Sequence, residues 1–153
     1  MYKRILVPLE HSPYDAAILE HVATLSRVCD ASLILIHVAD GWAARYFDDL
    51  HLRESEEMRG DREYLDRVAA ELEGDGLSVD AIFATGDPAR EIAAAAEREG
   101  CDLIAMSTHG HRFFSDLVYG SVAESVRHRS TIPVLMVRGT KASGPSIPRG
   151  STR

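Results

Sequence analysis

Five short apolar runs, separated by stretches with helical periodicity, constrain this chain more than any other feature of its sequence. The runs cover residues 5–9, 33–38, 79–84, 103–106 and 133–137. Their β-branched composition is typical of strands buried on both faces of a parallel sheet. Because parallel strands need long crossover connections, the alternation predicts an α/β fold with a doubly wound five-stranded parallel sheet.

Capping residues predict where the intervening helices begin. Ser12 precedes a proline and is followed three residues later by Asp15, which is a variant of the capping box. Asp87 precedes another proline and repeats the signal. A long amphipathic helix is expected over about 49–73, and a further helix after Gly120.

Length and charge limit the classes of protein to which the chain can belong. Its 153 residues suit one domain, which we expect over 1–138, followed by a disordered tail over 139–153 that lacks apolar periodicity. The net charge of −7 comes without a basic stripe, so no nucleic acid partner is expected. No apolar run is long enough for membrane insertion, and the two isolated cysteines fit a cytoplasmic location.

Polar residues cluster where the predicted strands end. Ligands of open parallel sheets bind outside the carboxyl ends of the strands, where the connections switch sides. A glycine and a hydroxyl at the start of a helix also offer free N–H groups to phosphate oxygens. The candidate binding residues are Pro8, Glu10, Val38, Met106, Ser107, His109, Gly110, His111, Gly120, Ser121 and Val122.

These features together resemble the universal stress protein family over nearly the whole chain. The motifs are Ile5-Leu6-Val7-Pro8 with an acidic residue following, His37-Val38, Gly86-Asp87-Pro88, Asp102-Leu103-Ile104, Gly120-Ser121-Val122-Ala123-Glu124 and the final strand 132–137. The resemblance implies a three-layer sandwich of the flavodoxin-like or adenine nucleotide alpha hydrolase-like type. It also implies a stress-response regulatory protein that binds ATP or another adenine nucleotide, with Mg²⁺ accompanying it.

The nucleotide-binding branch of that family has a pattern of Gly, two residues, Gly, nine residues, then Gly and a hydroxyl residue. Gly110, Gly120 and Ser121 match it, whereas Ser107 stands at the first glycine position. By resemblance, Pro8 and Val38 would line the adenine pocket, and the Glu10 carboxylate would meet the ribose hydroxyls. The three matching positions would hold the phosphates.

Several positions depart from the family pattern. Glu10 replaces the usual aspartate, and His11 and Phe113 replace frequent glycines. Ser107 fits only if its backbone has a negative φ, because a side chain at positive φ is strained. These departures leave open a dimeric interaction scaffold that has lost nucleotide binding.

Histidines supply a further alternative. His11, His109 and His111 fall in two loops at the same end of the predicted sheet, so a metal-binding variant stays open. His37 lies at the end of an apolar strand and is expected to be a hydrogen-bonded core residue.

Catalysis is expected to be absent or limited to slow ATP hydrolysis, because no GxxxxGK[ST] motif supplies a phosphate-binding lysine. The final strand, residues 133–137, would be an exposed apolar edge unless it pairs with a second copy, so a homodimer is expected. The sequence also allows a protein partner, whose identity it does not reveal.

Overall fold

Strands and helices alternate along the chain in the computed structural model, which describes residues 1–40, 51–108 and 115–139. For residues 40, 51–55 and 115–121 it describes the backbone alone. The elements are β1 (Arg4–Pro8), α1 (Asp15–Cys29), β2 (Ser32–Asp40), α2 (His51–Gly74), β3 (Val79–Gly86), α3 (Pro88–Arg98), β4 (Leu103–Thr108), α4 (Ser115–Arg129) and β5 (Val134–Arg138). All five predicted strands are present, each within two residues of the predicted ends.

The five strands form one parallel sheet in the order β3-β2-β1-β4-β5. Val7 on β1 is level with Leu35 on β2, and Leu6 on the same strand is level with Ile104 on β4. The chain winds outward in one direction from β1 to β3 and then crosses back to β4. The doubly wound parallel sheet is therefore confirmed, and its switch point lies between β1 and β4.

A separate apolar layer covers each face of the sheet. On one face, alternate side chains of the central strands, such as Val7 and Leu35, pack against α1 and α2. On the other face, their neighbours, such as Leu6 and Ile34, pack against α3 and α4. Burying one such aliphatic side chain contributes roughly 1.5–3 kcal/mol. The two layers together therefore hold the helices against the sheet and keep the carboxyl ends of all five strands at one edge.

The capping prediction is confirmed at α3, and at α1 the predicted side-chain bonds form although the helix begins later than expected. The Asp87 carboxylate accepts a hydrogen bond from the Arg90 N–H at 3.0 Å, and a proline occupies the first turn. In contrast, α1 begins at Asp15 and has no side-chain cap at Tyr14. Ser12 Oγ accepts the Tyr14 N–H at 3.3 Å, and the Asp15 carboxylate accepts the Ser12 N–H at 3.2 Å, which are the reciprocal bonds of the predicted capping box. The same carboxylate also accepts the N–H groups of Glu10 and His11, so it serves the preceding loop as well.

The last helix begins earlier than expected. We predicted a start after Gly120, but α4 begins at Ser115, so Gly120 and Ser121 lie inside it. A single interior glycine lowers helix stability by only about 1 kcal/mol relative to alanine, which a helix of 15 residues tolerates. Backbone N–H groups without a helical partner therefore belong to the first turn of α4 rather than to Gly120.

Gly139 follows β5 and remains attached to the sheet. Its N–H donates to the Thr108 carbonyl oxygen at 2.7 Å, and the residue is buried. The rest of the expected tail, residues 140–153, lies outside the described residues. No helix in the described part of the chain is long and apolar enough to cross a membrane.

Candidate functional site

A cleft opens at the switch point, on the face of the sheet that α3 and α4 cover. Its free space is about 400 Å³ when the open solvent at its mouth is counted, and only a small part of this is enclosed. Its walls come from the ends of β1, β2 and β4, from the start of α3 and from α4. The lining residues are Pro8, Leu9, Glu10, Ile36, Val38, Pro88, Ile92, Met106, Ser107 and Val122.

The cleft is apolar inside and acidic at one side. Ile36, Ile92 and Met106 are buried members of the α3–α4 core layer, and they give the cleft aliphatic and thioether walls. Glu10 contributes the carboxylate. An apolar slot with one polar group beside it suits a flat heteroaromatic ring that carries a hydroxylated substituent.

Six of the eleven residues predicted from the sequence line this cleft: Pro8, Glu10, Val38, Met106, Ser107 and Val122. His109, Gly110 and His111 lie outside the described residues. Gly120 and Ser121 are described by their backbone alone, within α4. Sequence reasoning missed Leu9, Ile36, Pro88 and Ile92, although the start of α3 follows β3 at the same edge and could have been included on topology alone.

The backbone at position 107 accepts a serine where the family pattern has glycine. Among the described non-glycine residues, only His11 and Asp30 have positive φ, so Ser107 meets the condition that its side chain requires. Its hydroxyl is buried and has no hydrogen-bond partner in the described part of the chain. A Cβ added at Gly139 would lie 2.8 Å from this hydroxyl oxygen, so the serine and the glycine pack against each other.

The loop between β1 and α1, residues 9–14, is organised by one buried carboxylate. Asp15 is 1% exposed, and it accepts the N–H groups of Glu10 at 3.1 Å, His11 at 2.9 Å and Ser12 at 3.2 Å. The Tyr64 hydroxyl donates to the same carboxylate at 2.7 Å. These bonds fix the backbone from which Glu10 reaches the cleft. They also engage three N–H groups that could otherwise have bound an anion.

His11 adopts a backbone conformation that favours glycine. Its φ is +60°, in the left-handed region, where a Cβ costs roughly 1–2 kcal/mol. Its ring stacks on Tyr64 with a centroid distance of 4.1 Å, and its Nδ1 lies 2.7 Å from Asp61 Oδ1. Contacts with α2 therefore hold a conformation that the histidine backbone disfavours.

His37 is buried and hydrogen-bonded, as its place in an apolar strand predicted. Its Nδ1 lies 2.8 Å from the Leu9 carbonyl oxygen, and its Nε2 lies 3.2 Å from Asp61 Oδ2. The metal hypothesis joined His11 to two histidines that lie outside the described residues. Within the described ranges, no cluster of three metal-ligating side chains occurs.

Tyr64 remains a hydrogen-bond donor. Burial, reinforced by the negative charge of Asp15, raises the pKa of Tyr64 above its ordinary value. Its proton is therefore retained at neutral pH, and its bond to Asp15 does not depend on pH there.

The fold and the cleft define a class: an α/β domain with an apolar pocket at the switch point of a parallel sheet. Comparison with known proteins identifies the family. The model of the universal stress protein family matches residues 1–138, and the chain belongs to this family. Universal stress protein MJ0577 of Methanocaldococcus jannaschii is 31% identical over 155 residues, covering 90% of this chain and 96% of that protein.

Solved structures agree in fold. The structure of MJ0577 superposes with a TM-score of 0.80, at 31% identity over 93% of this chain and 99% of that one. A universal stress protein of Archaeoglobus fulgidus in complex with dAMP has a TM-score of 0.66, at 19% identity, with coverage of 88% and 97%. A universal stress protein in complex with cAMP also has a TM-score of 0.66, at 18% identity, with coverage of 91% and 98%.

Proposed function

We propose that this chain is a stress-response regulatory protein that binds an adenine nucleotide, specifically ATP, in the cleft at the switch point, and that it acts as a homodimer in the cytoplasm. The observation that carries the proposal is the apolar cleft with Glu10 at its side. Two proteins of the same fold were solved with adenine nucleotides, dAMP in one and cAMP in the other. Both ligands share the adenine ring, which matches the apolar part of the cleft.

Different walls of the cleft would contact different parts of the nucleotide. Val38, Met106 and Val122 would contact the adenine ring, and the Glu10 carboxylate would accept hydrogen bonds from the ribose hydroxyls. Because the N–H groups of residues 10–12 already donate to Asp15, the phosphates would be held at the β4–α4 side. By family resemblance Gly110, Gly120 and Ser121 would lie beside them, while the free N–H groups would be those of the first turn of α4, with Mg²⁺ carried by the ATP phosphates.

Dimerisation would use the outer strand of the sheet. β5 is at the edge of the sheet, and Met136 on this strand is 52% exposed. An unpaired apolar edge is a surface that proteins normally cover, and pairing with a second copy across a two-fold axis does so. Substitution Met136→Lys would place a charge on this edge, and sedimentation velocity would then detect a shift from dimer to monomer. A monomeric wild-type protein would refute the dimer.

A ligand titration tests nucleotide binding. Purified protein is extracted with acid to identify any bound nucleotide or metal, and ATP is then titrated by calorimetry with and without Mg²⁺. Val38→Phe fills the cleft and is expected to weaken ATP binding by about tenfold or more. Val28→Phe is the matched control, because Val28 is 78% exposed on α1 and distant from the cleft lining.

The outcomes separate the candidate functions. Loss of binding in the cleft variant alone supports the site, and a phosphate-release assay then determines whether ATP is hydrolysed. Equal loss in both variants, or no loss in either, would reject this cleft as the site. If neither bound nucleotide nor ATP binding is found, the nucleotide function is wrong, and the dimeric scaffold or, with stoichiometric metal, the metal-binding variant takes its place.

A further inference from the structure

One carboxylate joins the β1–α1 loop to the end of β2. Asp61 lies on α2 and is largely buried, with 17% of its side chain exposed. Its Oδ1 lies 2.7 Å from His11 Nδ1, and its Oδ2 lies 3.2 Å from His37 Nε2. The two imidazoles come from the β1–α1 loop and from β2, which each contribute residues to the cleft lining, so the loop, β2 and α2 are linked through a single side chain.

The hydrogen bonds of His37 require a proton on each ring nitrogen. Its Nδ1 faces the Leu9 carbonyl oxygen at 2.8 Å, which can only accept. Its Nε2 faces an Asp61 carboxylate oxygen, which also only accepts when ionised. A neutral imidazole has one N–H and would leave a lone pair against one of these oxygens. The geometry is therefore fully bonded when His37 is an imidazolium.

The other groups around His37 do not replace that proton. Phe83 on β3 lies against its ring, with a centroid distance of 5.9 Å. The Arg62 guanidinium lies over the ring of Phe83, 4.6 Å from the centroid. Of these groups, only the Asp61 carboxylate is in hydrogen-bond contact with the His37 Nε2.

The groups around His11 connect the Asp61 carboxylate to the backbone of the β1–α1 loop. Tyr64 stacks on the His11 ring and donates to Asp15, whose carboxylate holds the loop N–H groups. Because the Tyr64 proton is retained at neutral pH, it adds no charge change to the network. The Glu10 carboxylate accepts from Ser12 Oγ at 3.3 Å, within the same loop.

Because His11 has a positive φ, its contact with Asp61 affects the conformation of the β1–α1 loop. A histidine at +60° returns to a less strained conformation when its contacts are lost, whereas a glycine would remain there without cost. Loss of the Asp61 contacts would therefore leave the strained His11 backbone held by the Asp15 bonds and the Tyr64 stacking alone, which loosens the loop that presents Glu10 to the cleft.

From this geometry we propose that His11, Asp61 and His37 form a proton-dependent clamp on the β1–α1 loop, which makes nucleotide affinity fall as the pH rises from about 6 to about 8.5. The inference rests on the proposed nucleotide site. Asp61 is a positioning residue in it, because it acts on the ligand through the loop. Histidine is the side chain whose charge changes in this pH range, and protonation of His37 completes the bonds that hold the clamp closed.

The test uses a substitution that exchanges donor and acceptor in the hydrogen bond between residue 61 and His37 Nε2. In Asp61→Asn, the amide N–H can donate to a neutral His37 Nε2 while the amide oxygen accepts from His11 Nδ1. The variant can therefore close its clamp without the extra proton. The Kd for ATP is measured at saturating Mg²⁺ from pH 6.0 to 8.5 for both proteins, and the titration of the ATP phosphates cancels in the ratio of the two values.

The ratio of the wild-type Kd to the variant Kd is expected to rise about fivefold or more between pH 6.0 and 8.5. A charge-assisted hydrogen bond changes an equilibrium by about 10-fold or more, and only part of that effect is transmitted through the loop to the ligand. A purely structural role of Asp61 would give a constant ratio, which would overturn the proposal. Asp66→Asn is the matched control, since Asp66 is an exposed aspartate on the same helix. Its ratio to wild type is expected to stay constant.

Nitrogen NMR of the histidine rings provides a measurement that needs no ligand. At pH 6.0 the wild-type His37 ring is expected to carry protons on both nitrogens, whereas in Asp61→Asn it is neutral with the proton on Nδ1. A neutral wild-type ring at pH 6.0 would overturn the clamp even if ATP binds. Absence of ATP binding with a doubly protonated ring would instead refute the proposed function, and with it the effect on affinity, while the clamp would stand.

Discussion

Substitution Asp15→Asn tests the claim that a single carboxylate holds the β1–α1 loop. The change keeps the volume but replaces one oxygen by an N–H₂ group and removes the charge. In the better orientation, the amide nitrogen replaces Oδ1 and faces the Glu10 N–H, which loses its acceptor. The remaining oxygen keeps the three bonds from His11, Ser12 and Tyr64 as neutral ones.

The magnitude follows from these bonds. An orphaned buried donor costs about 1–3 kcal/mol, and each charge-assisted bond that becomes neutral loses roughly 0.5–1 kcal/mol. Relief of the buried charge offsets part of this sum, because an ionised carboxylate is poorly solvated inside a protein. We expect a net loss of about 3 kcal/mol in the free energy of unfolding, which lowers Tm by about 6–12 °C for a domain of this size.

Urea unfolding followed by circular dichroism at pH 7 measures this loss. Asp66→Asn serves again as the control and is expected to change stability by less than about 0.5 kcal/mol. An Asp15→Asn protein within that same limit of the wild type would show that the loop is held by other contacts. The account of the Asp15 hydrogen bonds would then be wrong.

Three further outcomes follow from local geometry. Gly139→Ala places a methyl carbon 2.8 Å from Ser107 Oγ and 3.1 Å from Tyr14 Cβ, so it is expected to destabilise the fold by about 1–2 kcal/mol. Adding Ser107→Gly should restore only part of this in urea unfolding, because the contact with Tyr14 remains. Asp87→Ala removes the acceptor of the Arg90 N–H and is expected to cost about 1 kcal/mol in the same assay. Burial raises the pKa of the Cys101 thiol to about 11. At pH 7 only about one thiol in 10⁴ is ionised, so thiol labelling of Cys101 should be slow in the folded protein and accelerate as the pH rises towards that value.

The strands were predictable because their signal is local. A run such as 33–38 is apolar on both faces, and only a strand buried between two helical layers needs that pattern. The cap of α3 was predictable for a similar reason, since Asp87 acts on an N–H three residues away. The ends of the strands then identified part of the cleft lining by topology, including Pro8 and Val38.

The clamp was not predictable from the same sequence. Asp61 belongs to a helix rich in charged residues, and the pattern does not indicate which carboxylate turns towards the sheet. Its contacts with His11 and His37 join residues 50 and 24 positions away, so they depend on how α2 is rotated against β2. The only local signal was a histidine where the family frequently has glycine, which marked the position as unusual without identifying its partner.

The hydrogen bonds before α1 indicate which parts of a ligand each side of the cleft can hold. The Asp15 carboxylate bonds the Ser12 N–H as a capping box requires, and it also accepts the N–H groups of Glu10 and His11. An N–H group that donates to Asp15 cannot donate to a phosphate. The β1–α1 side of the cleft is therefore suited to the base and the ribose, where an apolar wall and an accepting carboxylate are needed. A phosphate site requires free donors and is therefore disfavoured on the β1–α1 side, in keeping with the proposed place on the β4–α4 side. ATP and adenosine should consequently lose similar affinity when the clamp is opened, because the clamp acts on the part of the ligand that they share.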